Sequence, residues 1–130
     1  MSSDLVWQVI RKNNAFKRRQ RGIQKHFSVE KFNLRAVHSQ RHSGLVSRKA
    51  LDVQPASDGK SILLSVKQPK NRFRPRISTK TVSLKKKQMK SISNAAKSLG
   101  LGKSTRTAQR RAAALLRSQR PKVSKKKTDA

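Results

Sequence analysis

Lysine and arginine are the residues here whose number and spacing could do chemistry, and that chemistry is phosphate binding. On a helix turning 100° per residue, Lys103, Arg106, Arg110, Arg117 and Arg120 fall within an arc of about 100°, the outer two at or beyond the helix ends. Ala108, Ala112, Leu115 and Leu116 occupy an arc of about the same width on the opposite side, so one face packs while the other presents guanidinium groups. A merely solvated face normally mixes signs for i, i+4 support, and this one contains no acid. Arginine forks match phosphate oxygens two at a time. Arg72, Arg74 and Arg76 form a second pattern: in an extended chain they project to one side about every 6.6 Å and can follow successive phosphates. Phe73 between them either stacks on an unpaired base or tucks into a core or a neighbouring protein. The cluster Lys17, Arg18, Arg19 and Arg21 suits RNA, nuclear import, or both at different times. The basic pairs Arg11-Lys12 and Arg48-Lys49 complete the set expected to meet nucleic acid.

Other chemistries lack their residues. Acid–base or two-metal catalysis needs paired carboxylates, and Asp4, Glu30, Asp52, Asp58 and Asp129 are scattered. His38 and His42 stand four apart, yet their segment has no helical period and no third ligand is near, so a metal site is not expected. Without cysteine there is neither a disulfide framework nor a thiolate zinc site. Gly100-Leu-Gly-Lys-Ser resembles the end of a nucleotide-binding loop but lacks that loop's first glycine, and its flanks read helix to helix. No catalytic residue, cofactor or small-molecule substrate is expected.

The charge balance points the same way. Lys and Arg number 34 against 5 acids, for a net charge of +29, and residues 59–128 hold 22 of the bases and no acid. Such a chain repels itself until a polyanion neutralises it. A membrane surface is the rival anion, but it asks for an amphipathic helix with aromatics or Leu immersed, and aromatics are 4%. No apolar run approaches the ~20 residues of a span, and no signal peptide opens the chain. A cytosolic or nuclear protein fits.

The elements that must position these cations are modest. Leu, Ile, Val and Phe make up 29 of the 130 residues, which allows a small core with irregular parts around it. Residues 2–12 read as a short helix capped by Ser2 or Ser3, with a strand as the alternative. A turn at Gly22 and a short strand over 23–29 follow, and 30–43 have no period. The clearest signal is a hairpin, 45–53 and 60–67, around a Pro55-to-Gly59 turn. Ile62, Leu64 and Val66 alternate on one face, with Ser61, Ser65 and Lys67 on the other. Residues 68–82, with two prolines, read as a basic extended arm. Residues 84–99 form a helix ending at Gly100, with Leu101 placed for the contact of a glycine C-cap. A second helix starts at a Ser104 or Thr105 cap and ends before Pro121. The expectation is an α+β fold: a core over 2–67 whose small antiparallel sheet packs on helices, the arm at 68–82, a helical pair over 83–120, and a disordered basic tail over 121–130.

Four segments carry a resemblance: Trp7-Gln-Val-Ile-Arg-Lys-Asn13, Ser43-Gly-Leu-Val-Ser-Arg-Lys49, Val53-Gln-Pro-Ala-Ser-Asp-Gly-Lys60 and Leu116-Arg-Ser-Gln-Arg-Pro121. In this order and spacing they resemble the eukaryote-type family numbered twenty-eight among large-subunit ribosomal proteins. Residues 68–104 depart most from its pattern. The resemblance implies an α+β domain with basic extensions, built into the large (60S) subunit as a structural protein beside rRNA and neighbouring ribosomal proteins. It also implies transit through the nucleus and nucleolus to the cytoplasm. The same domain type occurs in a nucleolar assembly factor with a long acidic extension, and the basic tail here favours the ribosomal kind. A linker-histone-like DNA binder would show Lys far above Arg and Pro-Lys repeats, which are absent.

Overall fold

The computed structural model describes residues 1–85 and 89–121. The fold is α+β, as expected. In chain order the elements are α1 (Ser3–Ile10), β1 (Lys17–Arg18), β2 (Phe27–Ser28), β3 (Ala50–Pro55), β4 (Ile62–Lys67), α2 (Pro75–Ser78), β5 (Thr79–Leu84), α3 (Met89–Ser98) and α4 (Gly102–Ser118).

Strands β3, β4 and β5 make one antiparallel sheet in that order, with Val53 opposite Leu64 and Leu64 opposite Val82. Cross-strand partners share a face. Leu51, Val53, Ile62, Leu64 and Leu84 therefore project together onto Ile92 and Ala96 of α3 and Ala108 and Ala112 of α4. Burying each large side chain contributes roughly 1.5–3 kcal/mol, and the alanines let α4 lie close to the sheet. Leu115 and Leu116 pack at the margin of this core. The helix pair is joined as the glycine signal requires. Gly100 takes φ +72°, its N–H donates to the Lys97 carbonyl at 2.9 Å, and the Leu101 N–H reaches Ala96 at 2.8 Å.

Several boundaries differ from the sequence reading, each for a local reason. Strand β3 begins at Ala50 rather than 45, because residues 43–47 turn, with the Ser47 N–H donating to Ser43 at 3.2 Å. Ser61 and Ser65, expected to face away from the core, are buried, and Lys67 is half-buried. Residues 28–44 cover part of that second face: Lys67 donates to the Gly44 carbonyl at 2.8 Å, and Asp52 lines one depression with Ser28, Glu30 and Asn33.

The extended arm gives way to a second hairpin. Residues 68–78 are its loop, closed where the Gln68 N–H donates to Ser78 at 2.9 Å, and residues from Thr79 onward pair with β4. Leu84, expected to open a helix, ends β5 instead, and α3 begins at Met89. Helix α4 starts at Gly102, with no side-chain cap from Ser104 or Thr105. The glycine closure at 100–101 leads straight into it, and Ser104 already donates its N–H to Leu101 within the first turn. The tail expected over 121–130 lies outside the described residues apart from Pro121, as do residues 86–88 of the helix expected over 84–99.

Helix α1 forms as read, with the Ser2 hydroxyl accepting the Leu5 N–H at 3.2 Å. None of its residues is fully buried; Trp7 anchors it against His38, ring centroids 5.0 Å apart.

Candidate nucleic-acid interface

Helix α4 divides as its periodicity demands. Ala108 and Ala112 are 0% exposed, while Lys103, Arg106, Arg110, Arg117 and Arg120 all stand in solvent. Arg117 and Arg120 share a shallow depression with Met89, Ala113 and Leu116. Arg111, absent from the expected set, does different work. It lies at the edge of the packed face and donates from Nε to the Val53 carbonyl at 2.9 Å. Its Nη1 reaches the Leu34 carbonyl at 3.2 Å and the Asn33 carbonyl at 3.4 Å. Strand β3 is an edge strand, so Arg111 fastens α4 both to that edge and to the irregular segment before it. The partial burial of a cation among carbonyls separates it from its exposed neighbours; in the sequence it is one more arginine.

The hairpin loop rearranges the second pattern. Asn71 adopts φ +61°, the Arg74 N–H donates to Asn71 at 2.8 Å, and Pro75, its φ already helical, opens α2. Arg72, Arg74 and Arg76 therefore do not form a straight row; they surround a loop tip. Phe73 is 95% exposed, which excludes the reading that tucks it into this protein's own core. Arg72 is close enough to Lys67 to help depress its pKa, although burial is the larger cause and Glu30 works the other way.

Lys17 and Arg18 lie on a two-stranded ribbon, β1 against β2, with the Gly22 turn between the strands at φ +79°. Arg18 spends one nitrogen on the carbonyls of Ala15 and Lys17, at 2.8 and 3.2 Å. Lys17 and Arg19 stand near His26, whose pKa is lowered first by burial and then by these two cations and His38. Arg11 and Arg48 make single weak contacts, to Gln8 and to the Met1 carbonyl, both at 3.3 Å, and Lys12 and Lys49 are exposed.

Two of the few acids are inside. Glu30 accepts from Asn33 Nδ2 at 2.9 Å and from the Ser43 hydroxyl at 3.3 Å, pinning together the two ends of residues 30–43. Asp52 accepts the Val53 N–H and Gln54 Nε2, each at 2.9 Å. Buried as structural acceptors, these carboxylates leave the surface more cationic than the composition alone suggests. The segment that Glu30 organises takes positive φ at Phe32 and Ala36, and admits only glycine at 44, where an added Cβ would stand 2.7 Å from Phe32 Cβ. It displays Arg35, Arg41 and His42, none of them in the expected set. No period in the sequence signals them.

The two spaced histidines do not meet. His38 Nε2 donates to the Arg11 carbonyl at 2.7 Å, and His42 lies among cations. No group of three potential metal ligands exists among the described residues, and no helix among them is long and apolar enough to cross a membrane.

A model of the Ribosomal L28e protein family matches residues 5–119. The chain is 48% identical over 130 residues to a large ribosomal subunit protein eL28 of Caenorhabditis elegans, covering 100% of both chains. It is 38% identical to the protein of that name from Schizosaccharomyces pombe, over 94% of this chain and 96% of that one. With the Dictyostelium discoideum protein the identity is 42% over 83 residues, or 64% of this chain and 60% of its relative.

Proposed function

We propose a bracing role on rRNA for this chain, which belongs to the ribosomal L28e protein family. As a member it is a structural constituent of the large ribosomal subunit and not an enzyme. Its Lys and Arg side chains neutralise phosphates of rRNA segments that would otherwise repel one another. The outer face of α4 is the principal surface. The ribbon at 17–21, the pairs Arg11-Lys12 and Arg48-Lys49, and the 70–76 loop tip, with Phe73 free to stack on an unpaired base, add further contacts. Neighbouring ribosomal proteins meet the remaining surface, and the protein passes through the nucleolus on its way to cytoplasmic ribosomes.

The observation that carries this reading is the division of α4. Its alanines are sealed against the sheet, while four cations of the helix, and Arg120 just past its end, stand in solvent with no carboxylate on the helix. A face that only solubilised the protein would gain from mixed signs. Sedimentation through a sucrose gradient at high salt tests the reading, with retention on 60S-type particles and polysomes as the expected result. Release from those particles, or absence from polysomes, contradicts it.

A further inference from the structure

Residues 35–49 border three neighbouring depressions. One, of about 360 Å³, is lined by Arg35, Arg41, His42, Lys103, Ser104 and Thr107 among others. Another, of about 600 Å³, includes Arg41, Ser47, Arg48 and Lys49 in its wall. A third, of about 90 Å³, shares Arg41, Ser47 and Lys49 with the second and Arg41, His42 and Ser104 with the first. Arg41 thus lines all three, and together they form one groove with a partly apolar floor at Phe32, Leu34, Leu51 and Leu101. No carboxylate lines any part of it among the described residues. The groove sits where α4 begins, meets its basic face at Lys103, and is held in shape by the Glu30 hydrogen bonds and the glycine at 44.

A groove with cations on its rim and apolar atoms on its floor matches a polymer whose charge lies along one edge and whose rings and sugars offer flat surface. We propose that this groove is a second RNA site, holding the backbone of one RNA strand with Arg35, Arg41, Arg48, Lys49 and Lys103 on its phosphates and His42 among them. This rests on the rRNA-binding reading and adds a place and a chemistry to it.

The charges around His42 give the site a signature. Burial first, and then Arg35 and Arg41 on its own segment and Lys25 before β2, hold its pKa below 6.5, while Lys103 of α4 lines the same depression. In the free chain the imidazole is therefore neutral at neutral pH. A phosphate placed among these cations cancels their repulsion, so binding takes up a proton and affinity rises as the pH falls.

The test uses the full chain and a labelled single-stranded RNA of about 12 nucleotides, within the range one strand-binding module covers. Anisotropy is read against salt and between about pH 7.5 and 5.5. The double variant Arg35→Gln, Arg41→Gln replaces exposed side chains and should leave the circular dichroism unchanged. It should lower the slope of log K against log salt by about 1.4, two contacts at ~0.7 each, and weaken binding at least ~10-fold. His42→Gln should bind like the parent near pH 7.5 and lose its gain at low pH. A steep slope in the parent with no change in the double variant overturns the groove and leaves the rRNA reading standing, whereas a flat slope in the parent overturns both. Tighter binding of labelled polyglutamate than of the RNA would reassign the groove to an acidic protein segment and overturn the proposal.

Discussion

Helix α4 and residues 28–44 present cations by opposite means. In α4 the display follows from a repeat: alanine and leucine recur at helical spacing, the buried side is fixed by them, and every cation on the far side must face out. In residues 28–44 there is no repeat. Arg35, Arg41 and His42 are positioned by buried Glu30, by positive φ at Phe32 and Ala36, and by a glycine against which Phe32 packs closely. A regular element advertises its surface in its periodicity, and an irregular one hides it in a few polar and steric requirements. The two regions should therefore fail differently when mutated.

The largest effect is expected at Leu115→Asp. It puts a charge on the packed side of α4 and removes apolar contact with the sheet, for a loss of about 3 kcal/mol of stability. The thin core makes that enough to melt much of the fold. Urea unfolding followed by circular dichroism reads it, and an unchanged midpoint would mean that this face is not packed.

Next comes Gly44→Ala, whose Cβ would meet Phe32 and the Lys31 carbonyl. The segment must shift, at a cost of about 2 kcal/mol by the usual scale of overpacking. Hydrogen exchange should show the loss in residues 28–44 while amides of α4 stay protected. Equal loss in both regions would merge what the comparison separates.

Arg111→Met should cost about 1–2 kcal/mol, because the Val53 and Leu34 carbonyls lose a charged donor and the apolar replacement supplies none. It links the two regions, so it should loosen both slightly. Filter binding of RNA should weaken less than for loss of an exposed arginine, and a larger loss would make Arg111 a direct ligand.

The smallest effect is acid sensitivity. His26 and His42 are held below 6.5 in the fold, with burial the first cause in each. As the pH falls through 6.5 the unfolded chain takes up protons first, so stability declines until the folded pKa is passed. Melting temperature at low salt should drop between about pH 7 and 5.5. Replacing both histidines by Gln should flatten that drop, and no flattening would move its origin elsewhere.

How far the sequence was legible follows the same division. The alternation of Ile62, Leu64 and Val66 located β4, and the spacing of Ala108, Ala112 and Leu115 located the packed side of α4. Both are periodic and partly sealed. Strand β5 carries no such signal, because Thr79–Leu84 contains only Val82 and Leu84 as apolar residues and follows two prolines. What makes it a strand is β4 beside it, including a Ser65–Thr81 hydroxyl pair at 3.1 Å. The arginine row at 72–76 looked extended for the same reason, until the loop of that hairpin turned it. The groove has no signal in the sequence because nothing local marks Glu30 as buried and Asp58 as exposed.

The proposed hold of the outer face of α4 on RNA can be removed without touching the packed face. The triple variant Arg106→Gln, Arg110→Gln, Arg117→Gln tests it most directly, since Arg and Gln are both good helix formers and the fold should survive. With an rRNA fragment, parent affinity should fall ~10³-fold or more between 50 and 200 mM salt if about eight phosphates are contacted. The variant should keep the parent's circular dichroism, lose about 2 units of salt slope or more, and bind at least ~10²-fold more weakly, as three charge-assisted contacts imply. A triple variant that binds with the parent's affinity and slope would contradict the claim, leaving α4 a solvated face.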